Sequence, residues 1–592
     1  MSTPLEDYAL IGDGESAALV SRDGSVDWLC WPRFDSAACF AALLGTPANG
    51  RWLIGLAEQD PSRSATRRYQ SDTLVMETNL VAAGGAVRLI DFMPVREDVA
   101  ALVRIVEGVE GTCRLRMDLR LRFDYGTMLP WTEATEDGFV ATVGSNRITV
   151  TTPIPLELRA HAAEAVFSVT AGQRLVFVMQ HHDATLPAPP PLDAEAALLR
   201  TQAFWRDWIA RFNSRKTRWP DPVRRSLLTL KSMIHRPTGG LIAAPTTSLP
   251  EAPGGAMNWD YRYCWLRDST FTLGALINAG YHDEARNWRD WLLRAIGGSP
   301  ENMRIMYRVD GDRHLDEWPV AGLPGYRHAL PVRIGNAAST QLQIDVWGEV
   351  VDTLHLADQA GLPGSRQADQ VRKQLVEHLA DVWNQPGAGI WESRNKPRHY
   401  TYSRVMAWVA VDRFVRAFGS GAGENLLRRM KALRRQIHDE VCREGWNDGL
   451  GTFTQYFGGQ ELDAGLLLLP LVGFLPAGDP RMAGTIAAIR RDLGEGGFIR
   501  RTRHSGTENP EGAFLACSCW MADCLNLLGK SEEAAAQFER VLDVRNDVGL
   551  LSEEFNVPAR HLAGNFPQAL THLAVVNTGL SLSGPVINRG GG

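Results

Sequence analysis

Residues Asn258–Asp268 combine ionised and aromatic side chains in a way that suits neither a core strand nor an exposed loop. The segment, NWDYRYCWLRD, holds four charged residues and four aromatic rings. Charged side chains are rarely buried unless they are paired, whereas an exposed row of rings would form an apolar patch. A pocket wall meets both conditions, because rings can stack on a sugar while fixed charges bind its hydroxyl groups. The alternative is structural: a buried Arg267–Asp268 or Asp260–Arg262 ion pair that fixes the start of a helix.

Two glutamates far apart in the chain could supply acid and base chemistry. Glu392 follows Ile390 and Trp391, whose apolar side chains would raise the pKa of its carboxyl group by excluding water. Glu553 lies in the run Leu551–Phe555, LSEEF, whose polar residues would keep a carboxylate ionised. One protonated and one ionised carboxyl group are what glycosidic bond cleavage requires. The alternative for each is a carboxylate at a helix start that stabilises the helix dipole, worth only about 0.3–1 kcal/mol.

Bulk composition narrows the class of function. The 592 residues carry a net charge of −6 and no basic stripe, so we expect no nucleic-acid partner. The first residues lack the basic and apolar regions of a signal peptide, and no apolar run is long enough to span a membrane. The eight cysteines show no zinc-type spacing, and we expect no metal and no organic cofactor. We therefore expect a soluble, cytoplasmic protein with reduced thiols and no membrane partner.

The hydrophobic period changes once along the chain. Up to residue 186, short alternating runs are separated by turn signals such as Asp23-Gly24, which predicts an N-terminal β-sandwich over 1–186. A Pro-rich linker and a linker helix are predicted over 187–220. From 221 to 592 the period is about 3.6 residues, which is typical of helices.

The helical part contains about twelve predicted segments of two alternating kinds. One kind is amphipathic, whereas the other is apolar or small on every side and must be buried. This alternation predicts an inner ring of helices wrapped by an outer ring, an (α/α)6 toroid; the alternative is an α-solenoid, which usually has a fixed repeat length. The amphipathic segments are 222–236, 283–296, 366–383, 424–442, 480–493 and 531–544. The buried segments are 268–280, 338–359, 401–418, 461–473, 513–528 and 567–582.

Polar residues gather at the predicted starts of the buried helices. If these helices all run the same way, one mouth would collect several carboxylates among aromatic rings such as that of Trp391. An acidic mouth of this kind suits a neutral polyhydroxylated ligand and argues against a polysaccharide lyase, which acts on acidic sugars. The polar residues at these starts include Gln341, Gln343, Asp345, Glu461, Asp463 and Glu511.

These motifs resemble those of glycoside hydrolase family 15, which comprises inverting glucoamylases and bacterial, archaeal and mycobacterial trehalases. The start, EDYALIGDGESAALVSRDGSVDWLCWPRFDS, is similar to the N-terminal β-sandwich of the trehalase-like branch. NWDYRYCWLRD resembles the first sugar-binding segment, NQPGAGIWESRNKPRHYTYS the general-acid segment, and GLLSEEFN with GNFPQALTHLAVVN the general-base segment. Three segments in order make the resemblance specific, and it covers nearly the whole chain.

The resemblance implies that Glu392 is the general acid and Glu553 the general base of an exo-acting α-glucoside hydrolase that works by inversion. Glu349, in QIDVWGEV, is the rival acid, and Glu554 is the rival base. Inversion needs room for a water, so we expect the two carboxyl groups to lie roughly 6.5–9.5 Å apart. The implied substrate-binding residues are Asp260, Tyr261, Tyr263, Trp265, Arg267, Asp268, Trp391, Arg501 and Glu554.

One segment departs from the family pattern. Relatives tend to have a Tyr-Arg-Tyr-like run before EGAF, where this chain has Phe498–Thr502. Which of Arg500, Arg501 and Arg503 faces the site is therefore left open.

The expected partner is a small-molecule glucoside. The N-terminal resemblance favours α,α-trehalose, and the alternative is glucoamylase-type action on the α-1,4 or α-1,6 bonds of maltose, isomaltose or short oligosaccharides. A minor alternative is a non-catalytic glycan-binding protein, although such a protein would have no need to keep both Glu392 and Glu553. Whether the chain forms a homo-oligomer is left open by the sequence.

Overall fold

The structure is a computed structural model that describes residues 2–57, 64–159, 161–364, 366–418, 423–503 and 511–587. Strands dominate the first third of the chain and helices the remainder, which is the division that the sequence predicts. All eight cysteines are free thiols. Within these ranges, no helix combines the length and the apolar character that a membrane span needs.

The N-terminal region is built from antiparallel strands. They are β1 (Tyr8–Gly12), β2 (Ala17–Ser21), β3 (Ser25–Cys30), β4 (Ala38–Phe40), β5 (Arg51–Leu56), β6 (Ser64–Tyr69), β7 (Met76–Ala82), β8 (Gly85–Phe92), β9 (Ala100–Arg120), β10 (Trp131–Thr135), β11 (Gly138–Val143), β12 (Asn146–Thr151), β13 (Glu157–Arg159), β14 (Ala162–Thr170) and β15 (Arg174–Asp183). The predicted turn at Asp23-Gly24 joins β2 to β3, which pair in an antiparallel hairpin.

The long strand β9 joins two sheets. Its first half pairs with β8 and β15, and its second half pairs with β5 and β14. The alternating segment 114–124 predicts only part of this strand, because residues 100–106 are buried on both faces and show no alternation.

The helical region consists of short and long α-helices. They are α1 (Ala194–Ala210), α2 (Pro220–Met233), α3 (Ser269–Ala279), α4 (His282–Ala295), α5 (Asp345–Gln359), α6 (Arg366–Val382), α7 (Thr401–Phe418), α8 (Glu424–Glu444), α9 (Leu468–Leu471), α10 (Pro480–Asp492), α11 (Leu515–Leu527), α12 (Ser531–Asp543) and α13 (Ala569–Ser581). Short paired strands lie in the loops, at Cys264–Trp265, Met306–Tyr307, Trp318–Pro319, Arg333–Ile334, Trp446–Asn447, Thr452–Phe453, Gly494–Glu495, Phe498–Ile499, Ala513–Phe514, Glu554–Asn556 and His561–Ala563.

The mostly buried helices contact one another in a closed series. α13 contacts α3, α3 contacts α5, and α5 contacts α7. α7 then contacts the segment Ala464–Leu471, which contacts α11, and α11 contacts α13. The amphipathic helices α2, α8 and α12 each contact one of these buried helices, α4 contacts α3 and α5, α6 contacts α5 and α7, and α10 contacts both α11 and the 3-10 turn Ala464–Leu467. In α8 the buried stripe is Met430, Leu433, Ile437 and Val441.

Two buried segments are shorter than predicted. α5 begins at Asp345 instead of 338, because Ala337–Thr340 forms a separate 3-10 turn that the Asn336 side chain caps. The segment predicted at 461–473 contains only the 3-10 turn Ala464–Leu467 and the single helical turn α9. Pro470 lies in that last turn and has no N–H with which to extend the helical hydrogen bonding.

Candidate active site

A cavity of about 660 Å³ lies where the buried helices begin. Its lining comes mainly from the segments that precede α3, α5, α7, α9 and α11, as the sequence predicts for a common mouth. The aromatic residues of this lining are Trp259, Tyr261, Trp265, Trp391, Tyr400 and Tyr456.

The charge of the cavity differs from the prediction. Its described lining includes four glutamates and four arginines, namely Glu251, Glu392, Glu461, Glu511, Arg333, Arg394, Arg398 and Arg501. The described lining is therefore balanced in charge and not acidic. The prediction is wrong because most of these arginines come from loops, which the helix pattern does not include. The argument from acidity against a lyase fails, although a balanced mouth still suits a neutral sugar.

Glu392 lies in a strained turn and not at a helix start. Its backbone φ is +48°, in the left-handed region that non-glycine residues rarely adopt. Gly389 opens the turn with φ +76°, and a Cβ there would lie only 2.8 Å from the ring of Tyr400. The side-chain amide of Gln341 donates to the backbone oxygen of Glu392 at 3.2 Å. Since α7 begins only at Thr401, the helix-dipole alternative does not hold for Glu392.

The Glu392 carboxyl group is held by two donors. Arg267 Nη1 donates to Oε1 at 2.8 Å, and Trp265 Nε1 donates to the same oxygen at 3.1 Å. Burial raises the pKa of Glu392 to about 7, although the charge of Arg267 opposes the shift. The direction agrees with the prediction from its apolar neighbours, and a carboxyl group that keeps its proton near neutral pH can act as a general acid.

Glu553 is buried, which the sequence analysis did not predict. It comes directly before the strand Glu554–Asn556, which pairs with Ala513–Phe514, and its side chain accepts a 2.7 Å hydrogen bond from Tyr261 Oη. The expected polar surroundings are wrong, because burial raises the pKa of Glu553, while Arg501 and the Tyr261 hydroxyl act to lower it. The polar residues around Glu553 in the sequence therefore do not show that its side chain is exposed to solvent.

The second oxygen of Glu553 has no described hydrogen-bond partner. Oε2 is buried and makes no hydrogen bond to the described part of the chain. A Cβ at Gly564 would lie 2.6 Å from this oxygen, so the glycine is what leaves space beside the carboxyl group. An ionised carboxylate with one uncommitted oxygen can accept a proton.

Two rings of the Asn258–Asp268 segment connect the glutamates. Trp265 donates to Glu392 and Tyr261 donates to Glu553. The rings of Tyr261 and Trp265 touch edge to face, with centroids 5.2 Å apart, and both line the cavity. One short segment thus hydrogen-bonds both carboxyl groups through two lining rings, although only Glu392 is itself among the described lining residues.

The remaining charged residues of this segment lie behind the lining. Asp260 and Arg262 form a fully buried ion pair of 2.6 Å, and Tyr263 Oη donates to Asp260 at 3.2 Å. Arg267 pairs with Asp268 at 2.8 Å and turns towards Glu392. None of Asp260, Tyr263, Arg267 and Asp268 is among the described lining residues, although Arg267 reaches the lining carboxyl group of Glu392. The pocket-wall interpretation holds for the rings of Tyr261 and Trp265.

The two rival carboxylates are placed differently from Glu392 and Glu553. Glu349 is fully buried inside α5, where it accepts hydrogen bonds from Tyr402 and, at 3.2 Å, from Thr270. Glu554 accepts a 2.9 Å bond from the backbone N–H of Gly512, and burial raises its pKa well above the usual value. Neither belongs to the described cavity lining, and Glu553 does not either; what distinguishes Glu553 is its hydrogen bond to the lining residue Tyr261.

Arg501 is the arginine that faces the cavity. Arg500 pairs with Glu495 at 2.6 Å, and Arg503 is exposed and lies 4.0 Å from Asp492. The guanidinium of Arg501 lies 5.5 Å from the centroid of Trp391, which also lines the cavity and donates to Asp463 at 2.8 Å. These contacts resolve the choice that the sequence leaves open.

Three buried glutamates enclose Arg501. It pairs with Glu251 and Glu511, and Glu554 lies 3.6 Å away. Carboxylate oxygens of the three lie within 4.8 Å of one another, a grouping that could hold a hard cation. Since the guanidinium already supplies the positive charge among them, we assign no metal to this group. Glu251 is a lining residue that sequence reasoning missed, because nothing in LPEAPGGA signals chemistry.

A second feature that sequence reasoning missed is the pair of arginines that pack on the ring of Trp259. The guanidinium of Arg394 lies 4.0 Å from its ring centroid and that of Arg333 lies 4.5 Å away. Glu317 pairs with Arg394 at 2.5 Å and with Arg333 at 3.3 Å. The three segments are far apart in the chain, so no local pattern could have joined them.

Comparison with known proteins identifies the family. Residues 220–580 match glycosyl hydrolases family 15, and residues 1–195 match a trehalase-like N-terminal region. The chain belongs to glycosyl hydrolase family 15. This family 15 chain is therefore a glycoside hydrolase, as the resemblance implies.

Relatives of this family 15 enzyme cover almost its full length. It is 35% identical to a trehalase of Mycobacterium tuberculosis over 97% of this chain and 89% of that protein. It is 32% identical to a trehalase of Thermoplasma volcanium, over 98% of this chain and 94% of that protein. A bacterial glucoamylase complexed with acarbose is similar with a TM-score of 0.72 at 11% identity, covering 98% of this chain and 94% of that one, which shows a shared fold.

Proposed function

We propose that this enzyme hydrolyses α,α-trehalose from one end with inversion and releases β-glucose from the bound ring. The observation that carries the chemistry is the pairing of Trp265 with Glu392 and of Tyr261 with Glu553 beside one cavity. The choice of trehalose is supported by relatives named trehalase, which match over nearly the whole chain.

Glu392 is the general acid in this proposal. Its carboxyl group gives a proton to the glycosidic oxygen as the C1–O bond breaks and an oxocarbenium-like state forms. The proton is present near neutral pH because burial raises the pKa of Glu392 to about 7. Once the proton has left, Arg267 stabilises the carboxylate through its 2.8 Å hydrogen bond.

Glu553 is the general base. Tyr261 Oη and Arg501 favour its ionised form, and Oε2 is the oxygen that accepts a proton from the attacking water. For the water to attack the face opposite the leaving oxygen, the carboxyl groups of Glu392 and Glu553 need a separation of roughly 6.5–9.5 Å. Trp265 and Tyr261 offer rings for stacking on the bound glucose.

We infer that the helical region is an (α/α)6 toroid. The closed series of contacts among the buried helices supports this, and so does the packing of amphipathic helices against them. The division of β9 between two sheets supports a β-sandwich over 1–186, followed by a linker and linker helix over 187–220 and a catalytic domain over 221–592.

A substrate panel tests the proposal. Initial rates on trehalose, maltose and isomaltose are compared at equal concentration, with the Glu392→Gln enzyme as the background control. We expect trehalose to give the highest kcat/KM. Turnover of maltose or isomaltose without trehalose would replace the proposal by a glucoamylase-type activity, and binding without turnover of any glucoside would indicate a glycan-binding protein.

A further inference from the structure

Arg262 leaves the sugar-binding segment and enters the N-terminal strand region. Its Nη1 donates to the backbone oxygen of Ser36 at 2.7 Å, and its Nη2 donates to Tyr125 Oη at 2.9 Å. Apart from its neighbour Asp260, the described hydrogen-bond partners of this guanidinium lie in the N-terminal region, including Cys30 Sγ at 3.5 Å. The side chain is fully buried, so these contacts replace its hydration.

Tyr125 reaches Arg262 from an unusual backbone. It has φ +58°, and the preceding Asp124 has φ +49°, so two successive non-glycine residues adopt the left-handed region. Such conformations cost free energy and persist only where the surroundings enforce them, often at functional positions. The ring of Tyr125 is buried and lies 5.3 Å from the Arg262 guanidinium. The left-handed backbone at Asp124 and Tyr125 thus places the Tyr125 hydroxyl group against the buried Asp260–Arg262 ion pair.

The other end of this ion pair touches the cavity wall. Asp260 lies between Trp259 and Tyr261, which both line the cavity. Its carboxylate also accepts from the backbone N–H of Gly335 at 3.2 Å, and its backbone oxygen accepts from the side chain of Asn336, another lining residue, at 3.5 Å. A displaced Asp260 would therefore move the wall on two sides, including the tyrosine that holds Glu553.

We propose that Tyr125 is a positioning residue for hydrolysis, acting through Arg262 and Asp260 on Tyr261. The N-terminal strand region is then a working part of the active site although none of its residues is among the cavity lining described. This inference rests on the proposed hydrolase function, and it deepens that function by assigning the strand region a role in turnover. A small displacement of a group that positions the reacting atoms can lower the rate of an enzyme by a large factor.

Tyr125→Phe tests this, because it removes the hydroxyl group and keeps the ring. The matched control is Tyr326→Phe. Tyr326 is also buried and also joins the two regions, since its Oη donates to the backbone oxygen of Thr3 at 3.0 Å. We expect Tyr125→Phe to lower kcat about tenfold with KM within about threefold, and Tyr326→Phe to leave both within about twofold.

A double-mutant cycle separates positioning from general loss of stability. In a Tyr261→Phe background the hydrogen bond to Glu553 is already absent, so adding Tyr125→Phe should lower kcat by less than about twofold. An undiminished tenfold loss in that background, or equal kcat for Tyr125→Phe and Tyr326→Phe, would overturn the proposal. Thermal unfolding of each variant shows that it is folded. Arg262→Lys serves as a second variant, because it keeps the charge but loses the forked hydrogen bonding. Its loss of kcat should likewise nearly vanish in the Tyr261→Phe background.

Failure of the proposed function gives a different result. All variants are compared on whichever α-glucoside the unaltered enzyme turns over fastest. An unaltered enzyme that is inactive on the whole panel would reject the proposed hydrolase function, whereas an active enzyme that is insensitive to Tyr125→Phe rejects only the positioning role.

Discussion

Glu392 lines the cavity and Glu553 is hydrogen-bonded to its lining, and the two lie on different kinds of backbone. Glu392 lies in a left-handed turn, and its side chain keeps 19% of its surface exposed and pairs with a guanidinium. Glu553 precedes a paired strand, is 1% exposed, and pairs with a phenol. The first belongs to the described cavity lining, whereas the second is linked to it through Tyr261. In the proposed mechanism, these differences in exposure and partners are what give two chemically identical side chains their acid and base roles.

The largest expected effect comes from removing either carboxyl group. Glu392→Gln and Glu553→Gln are nearly isosteric, and each should lower kcat on trehalose by about 10²–10⁴-fold. The two should differ on an aryl α-glucoside whose phenol leaves without protonation, because only the acid becomes dispensable there. We expect the aryl substrate to restore most of the rate of Glu392→Gln and little of that of Glu553→Gln. Equal recovery in both variants would remove the distinction between acid and base.

The pH profile sharpens the same distinction. Glu392 must carry its proton, and its pKa is about 7, so kcat/KM should fall about tenfold per unit as pH rises above 7. Glu553 must be ionised, and its pKa is raised from the usual value, so activity should also fall on the acid side. Initial rates from pH 4 to pH 9 measure both limbs. A rate that stays constant up to pH 9 would show that Glu392 is not the group that donates the proton.

Tyr261→Phe should affect only the base. Its hydroxyl group lowers the pKa of Glu553, so removing it should move the acid limb of the profile to higher pH and lower kcat about tenfold. Tyr326→Phe is the matched control, because Tyr326 is also buried, its Oη donates to the backbone oxygen of Thr3, and it is not among the described lining. A shift of the alkaline limb instead would show that the Tyr261 hydroxyl group changes the pKa of Glu392 and not that of Glu553.

The smallest kinetic effect is expected at Glu349. Because this carboxyl group is buried in α5 against Tyr402 and Thr270, Glu349→Gln should leave kcat and KM within about twofold. It should instead lower the free energy of unfolding by about 1–3 kcal/mol, since a buried hydrogen-bonded group loses a partner. Kinetics and thermal unfolding measured on the same preparation check this. A loss of kcat comparable with that of Glu392→Gln would make Glu349 the acid.

The helical part of the fold is predictable because its signal is local. A helix that must be buried is apolar on every side, and α3, α11 and α13 carry that property in their own residues. The first half of β9 is harder, since a strand buried on both faces has no alternation to detect. Pro470 and the capping by Asn336 shorten two helices through local backbone chemistry that periodicity alone does not weigh.

The site is only partly predictable because burial is set by other elements. Tyr261, Trp265, Trp391, Glu392 and Arg501 line the cavity as expected. Yet the local sequence does not say which members of an alternating segment face inward, and Asp260 and Tyr263 lie behind the wall in which the sequence places them. Glu553 has polar neighbours in the sequence, yet it is buried, because elements from elsewhere in the chain cover it.

Product stereochemistry tests the central claim most directly. Trehalose contains two α-linked rings, and inversion at one of them gives one β-glucose and leaves the other ring as α-glucose. Proton NMR of the first products, recorded before mutarotation, should therefore show α- and β-glucose in equal amounts. A spectrum with α-glucose alone would mean retention at the attacked ring, and it would contradict a mechanism in which Glu392 and Glu553 act from opposite faces with a water between them.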